Sequence, residues 1–262
     1  MKGELTNNPI RWFLIALQFL TRIPVQLKTA PTTAEIGVSI LMYPIVGLAI
    51  GLLLISPLFA LELLGFSPPP SAAAGLLIFL WIFVTGALHI DGLADSADGW
   101  LGGYGNRERT LEIMKDSRNG AGALAAVAAV VLLKFGALEA AIANHQWLAI
   151  VIAPILGRSA VLLLVISTRY VPTSQLGADL AAQCPKEPAI GLLIAIAITL
   201  LLGSLYEWQL LAATFAALLS FWVLRQQMLK RLDGATGDTT GASVEIIEAS
   251  TLLSFALLTL SA

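Results

Sequence analysis

The sequence predicts an all-α fold: a polytopic bundle of about seven transmembrane helices, forming a single integral membrane domain over residues 1–262. Composition is the first reason, because 57% of the residues are hydrophobic and only 12% are charged, against about 25% charged residues in soluble domains. The second reason is that the apolar residues fall in stretches long enough to cross a bilayer. The third is that Lys and Arg are concentrated in a few connections.

Seven stretches contain the roughly 20 mainly apolar residues that a membrane-crossing helix needs. They are 36–64, 72–90, 121–140, 147–167, 189–205, 208–224 and 244–260. Pro44 and Pro57 predict a kink or break in the first of them. An eighth apolar segment, 10–19, is too short to span, and we interpret it as an interfacial or re-entrant helix.

The positions of Lys and Arg predict the orientation of these spans. The connections 65–71, 144–146 and 204–207 contain neither residue. With the N-terminus in the cytoplasm, seven spans place the basic connections on the cytoplasmic side. The same arrangement places two long polar segments there, 91–120 and 225–243, which we predict to be the catalytic loops.

The remaining composition excludes several classes of protein. A formal net charge of -2 argues against a nucleic-acid partner. Cys184 is the only cysteine, which leaves no intrachain disulfide and no thiolate metal cluster. The first eight residues lack the apolar core and cleavage site of a signal peptide.

The strongest chemical signal is the acidic run HIDGLADSADG that ends the second predicted span. In a helix, Asp91, Asp95 and Asp98 would lie at i, i+4 and i+7 and share one face. Carboxylates so close repel one another unless a cation neutralises them. An all-oxygen ligand set suits Mg²⁺ or Mn²⁺ better than zinc, and Gly92 and Gly99 would leave room for a ligand. The run therefore predicts a divalent-metal site, with a hydrated acidic helix end as the alternative.

A basic segment follows, GGYGNRERTLEIMKDSRNG over residues 102–120. Its cations are candidate phosphate ligands, because guanidinium groups bind phosphate oxygens in pairs. They are Arg107, Arg109, Lys115 and Arg118. Asp116 is a candidate fourth metal ligand. A metal beside several arginines would suit a diphosphate substrate; the alternative is a positively charged cytoplasmic anchor.

A glycine-rich run, DGATGDTTGASVEIIE over residues 233–248, leads into the last span. Backbone N–H groups at such a helix start can bind an anion. Asp238 and Glu245 are seven residues apart and would share a helix face. Glu245 and Glu248 enter the membrane region, where an unpaired charge is costly, so we expect a partner, a metal or a substrate there. A loop that only caps a helix is the alternative.

Two cations lie inside predicted spans, Lys134 in the third and Arg158 in the fourth. Charge within the membrane points to function. Lys134 is expected to pair with an acidic neighbour, and Arg158 to reach a buried carboxylate or a substrate phosphate. His89, beside the acidic run, is either a proton carrier or a structural histidine.

Five segments carry a resemblance to a known family. They are FLTRIP at 19–24, HIDGLAD at 89–95 with DG at 98–99, the stretch 109–118 with its MKDSR core, GR at 157–158, and GATGD at 234–238. Together they resemble the cobalamin synthases, also called adenosylcobinamide-GDP ribazoletransferases, over nearly the whole chain. One departure is Asp233, where the family pattern has glycine.

The resemblance implies transfer of the phospho-adenosylcobinamide group from adenosylcobinamide-GDP to α-ribazole or α-ribazole 5′-phosphate. The products would be adenosylcobalamin or its 5′-phosphate, and GMP, with Mg²⁺ (or Mn²⁺) required. It also implies a distant likeness to the CDP-alcohol phosphotransferases. We accordingly expect a multi-pass protein of a bacterial cytoplasmic (inner) membrane with its active site facing the cytoplasm. The oligomeric state is open, and a homo-oligomer is one option.

On this basis we assign roles as hypotheses. The metal ligands would be Asp91, Asp95, Asp98 and Asp116. Asp98 or Asp238 would be the base for the acceptor hydroxyl, and Asp95 belongs to the same catalytic group. Substrate would be bound by Arg107, Arg109, Lys115, Arg118, Arg158, Gly237, Asp238 and Glu245.

Three other functions compete with this one. A CDP-alcohol phosphotransferase of phospholipid synthesis is disfavoured because Asp95 follows Ala94, where that family carries arginine. A divalent-cation transporter is disfavoured because the acidic residues cluster at one membrane face instead of lining a path. A purely structural subunit would leave the charged segments on one face unexplained.

Overall fold

The computed structural model describes residues 8–116 and 118–259, except for the side chains of residues 175 and 259. Over these residues the chain is helical, without named β-strands. The helices are α1 (Pro9–Leu20), α2 (Thr33–Ser39), α3 (Tyr43–Leu63), α4 (Pro70–Thr85), α5 (Leu88–Gly102), α6 (Arg107–Ile113), α7 (Ala121–Ala143), α8 (Trp147–Ser167), α9 (Gln175–Gln183), α10 (Lys186–Gly203), α11 (Gln209–Leu232) and α12 (Gly237–Thr259).

The described helices confirm the predicted polytopic bundle. Six are long and apolar enough to cross a membrane, counting α2 and α3 as one, and a bent pair of helices brings the number to seven. The six are Thr33–Leu63, Ala121–Ala143, Trp147–Ser167, Lys186–Gly203, Gln209–Leu232 and Gly237–Leu258. The bent pair is α4 and α5. Each corresponds to one predicted span, although the predicted end at residue 260 lies outside the described residues.

The second predicted span ends earlier than the sequence indicates. α4 stops at Thr85, and Gly86 and Ala87 both adopt left-handed backbone conformations, with φ of 61° and 58°. A Cβ at position 86 would lie 2.0 Å from Nε of Arg22, which packs across the turn. Beyond the turn, α5 departs at 90° from α4. The acidic run is therefore carried by a separate helix and does not extend the span.

The first predicted span breaks where Ile40–Met42 form a 3₁₀ turn before α3. Its glycines serve the contact between α3 and α8, because a Cβ on Gly47 would lie 2.4 Å from the carbonyl oxygen of Pro154. Close approach at small residues is typical of packing between membrane helices. The predicted interfacial segment is the short helix α1, which Arg11 links to Glu35 through a 2.7 Å ion pair.

The two segments interpreted as catalytic loops are largely helical. Residues 91–120 form most of α5 and all of α6, and residues 225–243 form the end of α11 and the start of α12. α12 lies at the centre of the bundle, packed against α5, α7, α8 and α11. The aspartates Asp91, Asp95, Asp98 and Asp238 are therefore carried by helices, whereas Lys115, Asp116 and Arg118 lie between α6 and α7.

Candidate active site

Four aspartates from two helices meet at the start of α12. α5 carries Asp91, Asp95 and Asp98 at the predicted helical spacing, and α12 contributes Asp238 in its first turn. The carboxylates of Asp91, Asp238 and Asp98 all act electrostatically on Asp95. Asp91 is exposed and the other three are half-buried. The sequence prediction did not join Asp238 to the metal ligands, because only the packing of α12 against α5 brings it there.

The glycines of the acidic run serve helix packing instead of ligand access, which corrects the prediction. A Cβ on Gly92 would lie 2.6 Å from the carbonyl oxygen of Asp238. A Cβ on Gly99 would lie 2.6 Å from Cγ of Met114. Glycine at position 92 therefore sets how closely the backbone of Asp238 approaches α5.

The glycine-rich run is a turn of four residues followed by a helix. Thr236 and Thr239 cap the start of α12 reciprocally: each hydroxyl accepts from the other's backbone N–H, at 3.1 Å and 2.9 Å. Asp233 has a left-handed φ of 58°, a conformation that glycine adopts most easily and aspartate tolerates. The departure at Asp233 is thus accommodated locally. Gly237 is exposed at the first turn of α12, where its predicted role in anion binding remains a prediction.

Asp98 has a structural task as well as a place in the cluster. Its carboxylate accepts from the backbone N–H groups of Gly120 at 2.5 Å and Ala123 at 2.8 Å. These donors belong to the start of α7, so Asp98 caps that helix from another segment of the chain. The capping bonds occupy part of the accepting capacity that a base or metal ligand needs. Its predicted catalytic role therefore has weaker geometric support than that of Asp238.

Asp116 lies in a different environment from the cluster. It forms an exposed 2.7 Å ion pair with Arg118, and hydrogen bonds from Arg118 lower the pKa of Asp116 to about 2. The groups that act on Asp95 are instead Asp91, Asp238 and Asp98. The structure thus does not join Asp116 to the other predicted metal ligands.

Two of the predicted phosphate-binding arginines donate to backbone carbonyl groups. Nε of Arg107 donates to the carbonyl oxygen of Leu232 at 2.9 Å, at the end of α11. Nε of Arg109 donates to the carbonyl oxygen of Gly102 at 3.0 Å, at the end of α5. These bonds leave the terminal nitrogens of both guanidinium groups for other partners. Lys115 is exposed.

Arg158 and Glu245, predicted to bind substrate, belong instead to a buried ion network within the bundle. Lys134 donates to Glu245 at 2.6 Å and also to Glu248, which in turn accepts from Arg158. Nη2 of Arg158 lies 3.4 Å from Nδ1 of His89. The network joins α7, α8 and α12 to the first turn of α5. The expected acidic partner of Lys134 is thus found, and Arg158 reaches a buried carboxylate, one of its two predicted options.

A cavity of about 310 Å³ opens beside the aspartates. Asp91 and Asp238 border it, and most of its wall is apolar. Tyr43, Tyr170 and Leu180 also line it; the sequence analysis identified none of these three. The FLTRIP segment was a sequence signal for this cavity, because its Phe19 and Leu20 also line it.

The donor set of the cluster matches a hard divalent cation in kind, since it consists of carboxylate oxygens. Among the described residues, no three His, Cys, Asp or Glu side chains are gathered as tightly as a pre-formed metal site requires. Mg²⁺ typically keeps several waters and binds through one or two carboxylates together with substrate phosphates. The four aspartates fit that mode of binding.

The fold and the site together define a polytopic membrane protein with a carboxylate-rich site at the start of its central helix. The chain belongs to the cobalamin-5-phosphate synthase family, whose sequence profile matches residues 12–256. This finding confirms the family that the motifs indicate.

Several relatives match almost end to end, and each is named adenosylcobinamide-GDP ribazoletransferase. The protein of Stutzerimonas stutzeri strain A1501 is 49% identical over 93% of this chain and 97% of its own length. That of Pseudomonas savastanoi pv. phaseolicola strain 1448A is 45% identical over 94% of this chain and 99% of its own. That of Pseudomonas entomophila strain L48 is 48% identical, over 94% and 98%. No solved structure matches this chain.

Proposed function

We propose that this protein is an adenosylcobinamide-GDP ribazoletransferase. It transfers the phospho-adenosylcobinamide group of adenosylcobinamide-GDP to α-ribazole or α-ribazole 5′-phosphate, giving adenosylcobalamin or its 5′-phosphate, and GMP. The observation that carries the proposal is the four-aspartate cluster of α5 and α12, in a chain that matches ribazoletransferases nearly end to end. A CDP-alcohol phosphotransferase and a cation transporter receive no comparable support.

Mg²⁺ is the cofactor that this cluster would hold, with Mn²⁺ as a substitute. Asp91 and Asp95 are the best-placed ligands, because Asp98 is partly committed to capping α7 and Asp116 to Arg118, and Asp238 is assigned below as the base. When bound, the ion supplies positive charge that offsets the diphosphate and the charge developing on the leaving group. Mutual repulsion among the carboxylates favours the binding of such an ion, which would offset it.

Asp238 is the residue we assign as general base. It borders the cavity, whereas Asp98 uses both carboxylate oxygens as acceptors for α7. Asp238 accepts the proton of a ribose hydroxyl as that oxygen attacks the phosphorus attached to cobinamide. The bond from this phosphorus to the bridging oxygen breaks, and GMP leaves with that oxygen. Phosphoryl transfer of this kind depends mainly on in-line positioning and charge stabilisation.

The basic segment and the buried network have supporting roles in this scheme. The terminal nitrogens of Arg107 and Arg109 are available for the guanosine diphosphate moiety, since within residues 8–116 and 118–259 the bonds of both side chains are made through Nε. Lys115 and Arg118 are exposed on the same segment. Arg158 and Glu245 act at a distance, by fixing α12 and hence Asp238 relative to α5.

We place the active site on the cytoplasmic face of a bacterial inner membrane. The support is the distribution of Lys and Arg among the connections, which is explained by seven crossings with the N-terminus inside. Counting α4 with α5 as one crossing gives that number. The relatives cited above all come from bacteria.

The test is GMP release by the detergent-purified, lipid-supplied protein given adenosylcobinamide-GDP and α-ribazole, with Mg²⁺ or with EDTA. We expect GMP and a cobalamin product in equal amounts with Mg²⁺, and neither with EDTA. Asp238→Asn serves as the matched inactive protein. Folded protein that releases no GMP would refute the activity, and release that persists in EDTA would refute the metal assignment.

A further inference from the structure

The cavity beside Asp91 and Asp238 has two chemically different ends. Its wall is formed by apolar side chains from α1, α3, α8 and α9, including Leu20, Val165 and Leu180. Its polar end is formed by the first turns of α5 and α12, with the two carboxylates. A ligand that matches both ends carries a bulky apolar group joined to hydrogen-bond donors, such as hydroxyl groups, that the carboxylates can accept from.

The size of the cavity limits what can enter it. At about 310 Å³, it lies near the lower bound of roughly 300–1,000 Å³ for pockets that take one small organic ligand. Adenosylcobinamide-GDP, which combines a corrin ring, an adenosyl group and a guanosine diphosphate, is far too large to be enclosed there. The acceptor, a single nucleoside, is of the right size.

The wall also suits a flat aromatic group. Phe19 and Tyr43 both line the cavity, and their rings lie 6.2 Å apart between centroids with 29° between their planes. A planar aromatic ligand that packed beside these rings would interact with them favourably beyond the area that it buries. α9 covers the cavity from another side, where Gly177 leaves space for the Tyr170 ring: a Cβ at 177 would lie 2.0 Å from the Tyr170 hydroxyl.

We propose that this cavity is the acceptor subsite, with the dimethylbenzimidazole base of α-ribazole against the apolar wall and its ribose at Asp91 and Asp238. The inference rests on the proposed function, and extends it by separating the acceptor's position from the donor's. An uncharged, methylated bicyclic base is the part of either substrate that gains most from leaving water. The arrangement brings a ribose hydroxyl to Asp238, the residue assigned to accept its proton.

Filling the cavity should affect one substrate only. Val165 is half-buried in the wall, so Val165→Phe would occupy space that the base needs. We expect the KM for α-ribazole to rise at least tenfold, while the KM for adenosylcobinamide-GDP changes less than twofold. Leu180→Phe on α9 should act in the same way, and it provides a second variant if the first does not fold.

The control is an apolar enlargement outside the site. Ala197 of α10 lines a different cavity, between α8, α10 and α11, and Ala197→Leu should change neither KM. Equal effects of Val165→Phe and Leu180→Phe on both KM values, or an effect on the donor alone, would overturn the subsite.

A second measurement separates this inference from the activity itself. Equilibrium binding of α-ribazole to wild-type protein, without donor or metal, should weaken at least tenfold in Val165→Phe. A riboside of benzimidazole without the two methyl groups should bind wild-type protein at least about tenfold more weakly, since each lost methyl in an apolar pocket costs affinity. Protein that binds α-ribazole in this way but releases no GMP would refute the proposed function and keep the subsite. Protein that releases GMP but binds both ribosides equally would refute the subsite and keep the proposed function.

Discussion

The aspartate cluster and the buried ion network share helices α5 and α12, but the network pairs opposite charges whereas the cluster gathers like charges. In the network, Lys134 and Arg158 match Glu245 and Glu248, and the Arg158 and Glu248 side chains are 0% exposed. In the cluster, the charged groups that act on Asp95 are all carboxylates. A balanced set of buried charges is complete without a ligand, whereas a set of like charges at a cavity is not. Charge balance therefore separates the structural network from the site that is suited to binding a cation.

The largest effect is expected from breaking that balance. Glu248→Gln leaves two buried cations with one carboxylate, and loss of one member of a buried ion pair costs about 3–5 kcal/mol. We expect a large drop in the unfolding temperature in detergent, with or without substrate. The matched control is the double variant Lys134→Met/Glu245→Gln, which removes one cation and one anion and should lose less. If Glu248→Gln melts like wild type, the network is not a stability element.

In the cluster, removing one charge should spare the fold and abolish turnover. Asp91→Asn should lower the rate of GMP release by ~100-fold or more, the scale of losing an electrostatic group at a reaction centre. Its unfolding temperature without Mg²⁺ should equal or exceed that of wild type, because repulsion among the aspartates is reduced. Normal activity in this variant would exclude the cluster as the active site.

Variants of Asp98 should have effects between those of the ion network and those of the other aspartates. They test whether Asp98 acts as a helix cap or as the base. Asp98→Ala removes the acceptors for Gly120 and Ala123, and should cost about 0.5–2 kcal/mol of stability, as other lost helix caps do. Asp98→Asn retains an amide oxygen that can accept one of those N–H groups, so it should keep most of the stability and a measurable rate. An Asp98→Asn protein that is stable but as inactive as Asp91→Asn would instead return Asp98 to the reaction site, as the base or as a metal ligand. Thermal unfolding and GMP release, measured on both variants, distinguish the capping role of Asp98 from a catalytic role.

The smallest effect is expected at Asp116. Its pair with Arg118 is exposed, and such pairs contribute little. Arg118 depresses the pKa of Asp116 to about 2, so this carboxylate stays ionised at any ordinary assay pH and gives no pH dependence there. Asp116→Asn should leave the unfolding temperature unchanged and GMP release within about threefold of wild type. A loss similar to that of Asp91→Asn would restore Asp116 to the metal site.

Local patterns in the sequence predicted the elements of this fold well. Apolar length located the crossing helices, and the spacing of Asp91, Asp95 and Asp98 was sufficient to place them on one helix. Features that depend on contacts between distant segments were out of reach. Asp98 caps a helix whose first donors lie more than 20 positions further along the chain, and Lys134 meets carboxylates more than 100 positions away.

The bend before α5 shows the same limit. Gly86 suits a left-handed turn, but Ala87 in that conformation has no strong signal of its own. Arg22, packed over the turn from another part of the chain, helps to fix it. The family motifs carried information that periodicity did not, since FLTRIP includes both Arg22 and two residues that line the cavity.

The right angle between α4 and α5 has a consequence for how two substrates of very unequal size can meet. If α4 follows the membrane normal, α5 lies along the surface of the bilayer and presents its aspartates at the edge of the lipid. The corrinoid donor can then remain in the aqueous phase while only the small base of the acceptor descends between the helices. In that arrangement the proposed donor and acceptor would meet at the membrane surface, and neither would have to cross the bilayer.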